Sequence, residues 1–309
     1  MVLPTYGRPD LLERAIVTVF AQTFQAWELI VVDDNGTGTE LQEQTAAVVA
    51  AVAADPRVVY VVHDRNRGGG AARNTGIRRA RAPFVAFLDD DDAWYPTKLE
   101  LQVACFDESP PEVALVYGAF RRVAEDGTSR LVVPVPGGDT VRDLLRRNAI
   151  GTTSVALCRR DALLAVEGFD ETLRSRQDVD LFLRLRHRYR FAYVQDALLD
   201  KHQHDGDAIG KNYTGVVDAY GRFYAKHRAA YQGDRGAHHV FLTRYGLEAL
   251  RAEQIALARS LLWQGWLLDR RALRNLALVA FADRRLLHAY RMVRRWMRRS
   301  WPNTNGRKA

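Results

Sequence analysis

Cysteines, signal-peptide features and long apolar runs are scarce or lacking in this chain of 309 residues. Its two cysteines, Cys105 and Cys158, are too few for a disulfide framework, and neither lies at a metal-ligand spacing. No apolar run approaches the ~18 residues needed to cross a bilayer. We find no signal peptide, because the charged residue Arg8 interrupts the N-terminal stretch before an apolar region of the required length can form. These absences predict a cytoplasmic protein, with at most peripheral attachment to the inner face of the membrane.

Acidic residues become scarce in the last third of the chain. Residues 210–309 contain 20 Lys and Arg but 6 Asp and Glu, whereas residues 1–209 contain 25 and 31. Apolar periodicity after about residue 211 is helical. We therefore predict a first domain over 1–209 and a helical, basic C-terminal region over 210–309.

The end of this basic region has the pattern of an amphipathic helix. Over 284–301, apolar residues recur at steps of three or four, and arginines occupy much of the remainder. Such a helix suits an anionic membrane surface. The alternative is a helix that packs against Trp263, Trp266 and Phe281 with a solvated arginine face. Nucleic-acid binding is not expected, since no binding motif accompanies the arginines.

Short apolar runs alternate with helix-length segments through the first half of the chain. This order predicts βαβ units, and hence an α/β fold with a mostly parallel sheet flanked by helices. The predicted strands are 29–32, 58–62, 84–88 and 113–117, and the predicted helices are 10–22, 40–54, 70–81 and 97–108.

Four consecutive carboxylates, Asp89 to Asp92, follow the apolar run 84–88. Open α/β sheets bind ligands at the carboxyl ends of their strands. Oxygen ligands there favour a divalent cation that holds a phosphorylated substrate. A bare acidic run is more often a solvated loop, so the other segments must decide between the two interpretations.

Two further polar segments lie at predicted strand ends. Pro4-Thr5-Tyr6 follows the first strand, where Tyr6 offers a flat face for a base, although the segment could be only a turn. Asp33 and Asp34 follow the second strand, where a carboxylate can accept hydrogen bonds from a nucleoside or cap an Asx turn.

A glycine-rich segment and a helix-borne aspartate complete the set. Glycines within 66–76 precede a predicted helix and let the backbone approach a phosphate, to which Arg73 could add charge. The spacing is neither a P-loop nor a Rossmann pattern, so the signal is weak. Asp178 follows Gln177 near the start of another predicted helix, a common place for any aspartate.

In their order and spacing, these segments resemble glycosyltransferase family 2, the inverting nucleotide-sugar enzymes with a GT-A fold. The resemblance covers about residues 2–208. It rests on the segment starting at Pro4, the pair Asp33-Asp34, the segment 66–76, the stretch from Phe87 to Trp94, and Gly168-Phe169-Asp170 followed by Gln177-Asp178.

The resemblance implies a role for each matched residue. A nucleoside-diphosphate sugar would contact Pro4, Thr5, Tyr6, Asp33, Asp34, Arg73 and, through its ribose, Asp90. Asp89 and Asp91 would be the DxD carboxylates that hold Mg²⁺ or Mn²⁺, with His204 closing over the metal or the diphosphate and His202 as its competitor. Asp178 matches the general base. Acceptor contacts, the weakest of these expectations, are assigned to Trp94, Gln177 and Thr152.

Some features depart from the family pattern. Only Val2 and Leu3 stand between Met1 and Pro4, where the family usually has a longer first strand. Gly7 replaces a frequent Asn, and Gln177 replaces a frequent Glu. The Gln-x-x-Arg-Trp motif and the spanning helices of processive synthases are missing, which argues against such a synthase. We therefore expect transfer, with UDP-sugars favoured, to a glycan or lipid-linked acceptor. The alternatives are a catalytically idle nucleotide-sugar-binding relative and a nucleic-acid-binding protein acting through its tail.

Overall fold

A computed structural model describes residues 1–133, 140–202 and 213–272 of the chain. The chain divides into two compact units, Met1–Lys211 and Asn212–Ala309. His204 and the segment 284–301 lie outside the described residues. Among the described helices, none combines the length and the apolar character that a bilayer crossing requires.

The first unit opens with three parallel strands and their helices. The strands lie in the order β1 (Val2–Thr5), β2 (Leu29–Asp33) and β3 (Val58–Val62). Every residue of β2 is buried, as expected of a strand covered on both faces. This part of the sheet confirms the βαβ prediction. The helices between and after these strands are α1 (Pro9–Phe20), α2 (Glu40–Ala50) and α3 (Gly69–Arg79).

The sequence of α1 and α3 explains how they pack. In α1, proline stands in the first turn and the buried residues recur at helical spacing, so one apolar face meets the sheet. In α3, Gly76 allows close contact with β1, since an added Cβ would lie 2.2 Å from Val2 Cγ1. The C-terminal half of α3 is thereby held against β1.

The second sheet is mixed, which corrects the expectation of a mostly parallel sheet for this half. Its order is β4-β8-β6-β9-β5, with β7 paired to β6, and within it β6 and β9 run parallel while the other pairs are antiparallel. A single parallel bridge, Val2 to Phe87, joins it to β1. Its strands are β4 (Phe84–Ala86), β5 (Asp92–Trp94), β6 (Val113–Val123), β7 (Ser129–Val132), β8 (Leu157–Arg159) and β9 (Arg190–His202).

Four more helices support this sheet: α4 (Lys98–Asp107), α5 (Val141–Arg146), α6 (Arg160–Ala165) and α7 (Gln177–Arg186). Residues Thr153–Val155 form a short 3-10 helix just before β8. The apolar face of α7 is buried through Val179, Phe182 and Leu183, and its first turn carries Gln177 and Asp178.

The second unit is helical over its described residues. It contains α8 (Tyr213–Gly233), α9 (Arg235–Arg251) and α10 (Ile255–Leu268). Aromatic rings from α8 and α9 form its core, where Tyr231 and Phe241 pack with ring centroids 4.5 Å apart. On α10, the side chains of Trp263 and Leu267 remain exposed.

Candidate active site

Among the described residues, most of the predicted site residues lie at the carboxyl ends of β1 and β2, after Phe87 or in the first turn of α7. We call Asp89, Asp90, Asp91 and Asp92 the acidic cluster. Its last member is the first residue of β5 and pairs with Lys201 of β9, so this stretch is not wholly a loop. Thr5 at the end of β1 donates a hydrogen bond to Asp90 Oδ2 over 2.9 Å. The cluster is therefore tied to the first strand.

Three members of the acidic cluster could share one cation. Carboxylate oxygens of Asp89, Asp91 and Asp92 lie within 4.8 Å of one another. The side chain of Asp92 is fully buried, and neither of its oxygens has a hydrogen-bond partner among the described residues. Buried carboxylates are costly unless they are paired or coordinate a metal. This donor set of oxygens fits Mg²⁺ or Mn²⁺.

Three cationic side chains of the described residues lie within 4 Å of carboxylates of the acidic cluster. Arg8 Nη2 lies 2.6 Å from Asp90 Oδ1, and its Nη1 lies 2.8 Å from Asp91 Oδ2. Arg73 Nη2 lies 2.5 Å from Asp89 Oδ1. Lys201 Nζ lies 3.7 Å from Asp92 Oδ2. These cations offset the mutual repulsion of the carboxylates.

Burial and charge set the pKa values of the cluster in opposite directions. Burial raises the pKa of Asp92 to about 7 and that of Asp90 to about 6, although Lys201 and Arg8, respectively, oppose the shift. Burial also acts on Asp89, but Arg73 and Lys201 outweigh it and hold its pKa below the usual value. Burial lowers the pKa of Lys201, yet Asp92 and Asp89 more than compensate and raise it. The carboxyl that pairs with Arg73 thus has a lower pKa than the two carboxyls whose burial dominates.

Asp34 organises the glycine-rich segment. Its Oδ1 accepts a hydrogen bond from the backbone N–H of Arg67 at 2.8 Å, and its Oδ2 accepts one from Gly68 at 2.7 Å. His63 Nδ1 lies 2.7 Å from the same Oδ1. Gly68 has a φ of +92°, a backbone conformation that favours glycine. Asp34 therefore shapes the turn that precedes α3, where a phosphate was predicted.

The other nucleotide-side residues are placed differently. Asp33 is fully buried, and its carboxylate accepts hydrogen bonds from Asn35 and from the Tyr60 hydroxyl, which occupy both oxygens. Pro4 is buried in β1, whereas Tyr6 is exposed beside the site. Tyr6 is thus free to stack on a base, and Asp33 supports the turn.

Asp178 lies in the first turn of α7 with an oriented carboxylate. Its Oδ2 accepts a hydrogen bond from Asn148 Nδ2 at 2.5 Å, and its Oδ1 accepts one from the backbone of Val179 at 2.8 Å. The neighbouring Gln177 accepts a hydrogen bond from Arg73 Nη1 at 3.4 Å. Because Arg73 also contacts Asp89, the start of α7 is linked to the acidic cluster.

The two remaining acceptor-side residues are largely buried. Trp94 is 3% exposed and donates its indole N–H to the Ser154 carbonyl at 2.9 Å. Thr152 is buried and accepts a hydrogen bond from Lys201 Nζ at 3.2 Å. Contact of these two residues with an acceptor remains a prediction, and their burial does not favour it. His204 lies outside the described residues, and its role also remains a prediction.

Four residues of this site were not assigned from sequence: Arg8, Asp92, Asn148 and Lys201. Arg8 adjoins the first predicted segment and Asp92 belongs to the acidic run, so both positions carried a signal. Lys201 reaches the site through the antiparallel pairing of β5 with β9, and Asn148 lies in an irregular stretch without a motif.

The chain matches the family described as Glycosyl transferase family 2 over residues 1–166. It is 30% identical over 229 residues to the putative colanic acid biosynthesis glycosyl transferase WcaA of Escherichia coli strain K12, covering 73% of this chain and 80% of that protein. It is 29% identical over 216 residues to the putative teichuronic acid biosynthesis glycosyltransferase TuaG of Bacillus subtilis strain 168, covering 69% and 81%.

A third relative has a defined reaction in its name. The UDP-Glc:alpha-D-GlcNAc-diphosphoundecaprenol beta-1,3-glucosyltransferase WfgD of Escherichia coli is 29% identical over 159 residues, which cover 52% of this chain and 59% of that protein.

Solved structures share the fold at low sequence identity. S. aureus TarS 1-349 in complex with UDP-GlcNAc aligns with a TM-score of 0.60 and 18% identity, covering 98% of this chain and 92% of that chain. The mannosyltransferase PcManGT from Pyrobaculum calidifontis, in complex with GDP-Man and Mn2+, aligns with a TM-score of 0.58 and 19% identity, covering 96% and 86%. The predicted GT-A type of α/β fold is confirmed.

Proposed function

The chain is a glycosyltransferase that belongs to family 2, and from this premise we propose that it moves a sugar from a nucleoside-diphosphate sugar to a hydroxyl acceptor with inversion at the anomeric carbon. One observation carries the proposal: the acidic cluster and the oriented carboxylate of Asp178 lie at one site, linked through Arg73 and Gln177. The first offers a place for a cation and a diphosphate, and the second offers a base.

Asp178 acts as the general base of the proposed reaction. Its carboxylate takes the proton of the acceptor hydroxyl as that oxygen attacks the anomeric carbon. The new bond joins the acceptor oxygen to the sugar, and the bond from the sugar to the diphosphate breaks. The nucleoside diphosphate leaves with the electron pair. A single displacement of this kind needs one base and no second nucleophilic carboxylate.

Asp89, Asp91 and Asp92 would hold Mg²⁺ or Mn²⁺, with Asp91 as a direct ligand and His204 as a further candidate. A divalent cation supplies Lewis-acid stabilisation to the charge of a leaving diphosphate. The oxygen donor set and the unpartnered oxygens of Asp92 support this assignment. Arg73 is suited to the phosphate side and Tyr6 to the base, while Asp90 remains the ribose candidate.

We favour a UDP-sugar as donor and a lipid-linked or glycan acceptor. TarS was solved with UDP-GlcNAc and PcManGT with GDP-Man, and the name of WfgD gives UDP-Glc and a diphosphoundecaprenol acceptor. The names of WcaA and TuaG support a place in cell-surface polysaccharide assembly. A basic segment at 284–301 and the exposed Trp263 and Leu267 support contact with an anionic membrane surface.

A donor screen tests the proposal. Purified protein is incubated with UDP-, GDP-, ADP- and dTDP-sugars in Mn²⁺, in Mg²⁺ or in chelator, and release of the nucleoside diphosphate is measured with and without acceptor glycans or lipids. We expect metal-dependent release from one donor class that is lost in Asp91→Ala and Asp178→Asn. Full activity of Asp91→Ala would contradict the metal assignment, and full activity of Asp178→Asn would contradict the base.

The same screen separates the alternatives. Tight nucleotide-sugar binding without turnover would indicate a catalytically idle relative. Salt-sensitive nucleic-acid binding that survives loss of the acidic cluster would indicate a nucleic-acid-binding protein that acts through its basic tail.

A further inference from the structure

We propose that Arg8 competes with the metal ion for Asp91. In the protein without metal its guanidinium pairs with the Asp91 carboxylate, and the side chain must move away before a divalent cation can bind that carboxylate. The inference rests on the proposed metal site and adds a determinant of its affinity. It concerns how tightly the acidic cluster binds a free cation, before any donor is present.

The contacts of Arg8 are those of a counter-ion to the cluster. One guanidinium nitrogen lies 2.6 Å from Asp90 Oδ1, and another lies 2.8 Å from Asp91 Oδ2. Asp91 is one of the three carboxylates whose oxygens could share a cation. Arg8 therefore places a positive charge beside the position a metal ion would take.

A guanidinium cannot leave this position by losing its proton. Arginine stays protonated in proteins, so the positive charge of Arg8 persists beside Asp91. A divalent cation near Asp91 therefore meets the repulsion of Arg8 until the side chain moves.

Arg8 is also the cation best placed to move. Its side chain is 40% exposed and precedes α1, directly after Gly7 with its φ of +71°. Arg73 is less exposed and is also held by Gln177, while Lys201 is also held by Thr152. Arg8 has no hydrogen bond of this kind to a neutral side chain among its described contacts.

Asp92 provides independent support for a cation at the cluster. Its carboxylate is fully buried, and both of its oxygens lack a hydrogen-bond partner within the described residues. Arg8 pairs with Asp90 and Asp91, so it does not satisfy these oxygens. Lys201 Nζ lies 3.7 Å from Asp92 Oδ2, beyond hydrogen-bond distance, so the Asp92 oxygens keep the capacity to ligate a metal ion.

Mn²⁺ titration of the full chain without nucleotide tests the inference. Isothermal titration calorimetry would compare wild type with Arg8→Met, Arg8→Lys and Arg14→Met. Arg14 is a matched control, since its exposed guanidinium contacts the backbone carbonyl of Asp91 at 3.2 Å but no carboxylate. We expect Arg8→Met to bind Mn²⁺ about tenfold more tightly than wild type, Arg8→Lys to fall between them, and Arg14→Met to match wild type.

Three results would overturn the inference. They are equal or weaker Mn²⁺ binding by Arg8→Met, an equal gain in Arg14→Met, and no Mn²⁺ binding by any variant. If circular dichroism shows that Arg8→Met does not fold, the Arg8→Lys variant takes its place in the test. A Mn²⁺ affinity of Arg8→Lys equal to that of wild type would then refute the inference. The titration uses no donor, so its Mn²⁺ affinities can be interpreted even if the protein transfers no sugar. A failure of sugar transfer would then count against the proposed function alone.

Discussion

Asn148 Nδ2 donates a hydrogen bond of 2.5 Å to Asp178 Oδ2. The Asn148 amide is itself held by Gly151, whose N–H lies 2.9 Å from Asn148 Oδ1. Gly151 has a φ of +102°, which suits a residue without a Cβ. A turn in an irregular stretch of the sequence therefore orients the proposed base.

Replacing Asn148 with alanine should lower kcat about ten- to a hundredfold and leave the donor KM nearly unchanged, because the base would lose its orientation but the donor contacts would remain. Steady-state kinetics with saturating acceptor would measure kcat and the donor KM separately. The melting temperature serves as a control for folding. A rise in KM at constant kcat would assign Asn148 to binding instead.

Asp92→Asn tests whether the buried carboxylate belongs to the metal site. The amide has no charge to offer a cation, so we expect Mn²⁺ affinity to fall about tenfold or more. Thermal stability should be kept, because the buried carboxylate has no hydrogen-bond partner and its ion pair with Lys201 is long, at 3.7 Å. Calorimetry and a thermal melt would report the two effects. Asp64→Asn, a change at an exposed carboxylate, is the control. Unaltered Mn²⁺ affinity in Asp92→Asn would remove Asp92 from the site.

Asp34→Asn should disturb the turn before α3. One carboxylate oxygen that now accepts a backbone hydrogen bond, from Arg67 or from Gly68, would become an NH₂ donor facing another donor. We expect a loss of about 1–3 kcal/mol in the free energy of unfolding and weaker nucleotide binding. Urea denaturation and nucleotide titration would measure both. Weaker binding at full stability would point to direct contact between Asp34 and the nucleotide.

Lys98 should make stability depend on pH above neutrality. Burial lowers its pKa from 10.5 to about 7 in the folded protein. Between these values the unfolded chain binds more protons than the folded one, so the free energy of unfolding should rise as the pH increases from about 7 to about 10.5. Lys98→Met should flatten this rise in urea denaturation series. The exposed Lys226→Met is the control, and an unchanged slope in Lys98→Met would contradict the assignment.

Contact with a membrane predicts a role for the apolar side chains on α10. Trp263 is 44% exposed and Leu267 is 40% exposed. We expect Trp263→Ala to reduce co-sedimentation with vesicles that contain anionic phosphatidylglycerol, because it removes apolar area available to the interface. Neutral phosphatidylcholine vesicles are the control for charge. Equal sedimentation of wild type and variant would exclude Trp263 from such contact.

The sequence was informative where physical signals are local. Apolar runs in the sequence predicted β2 and β3, and the position of Asp89 after a strand predicted a polar site. It was uninformative where the structure depends on distant pairing. The three residues of β5 are too few for a strand period, so neither their pairing with β9 nor the approach of Lys201 to Asp92 could be predicted.

The mixed second sheet has the same explanation. Its short strands, β4 and β8, each have three residues, and their antiparallel pairing is set by the return path of the chain. Arg8 was visible only as part of a turn. Its two ion pairs arise because β1 lies beside Phe87, so the residues that follow each of them come close together. No local sequence pattern predicts this proximity.

The single bridge between Val2 and Phe87 makes the first unit suited to recombination between relatives. A chimera joined between α3 and β4 would take β1 to β3 and α3 from one parent, and the acidic cluster with the second sheet from the other. Few backbone pairings would have to match across that junction. The side chains that cross it would be the constraint, since Thr5 and Arg8 must find Asp90 in the new partner.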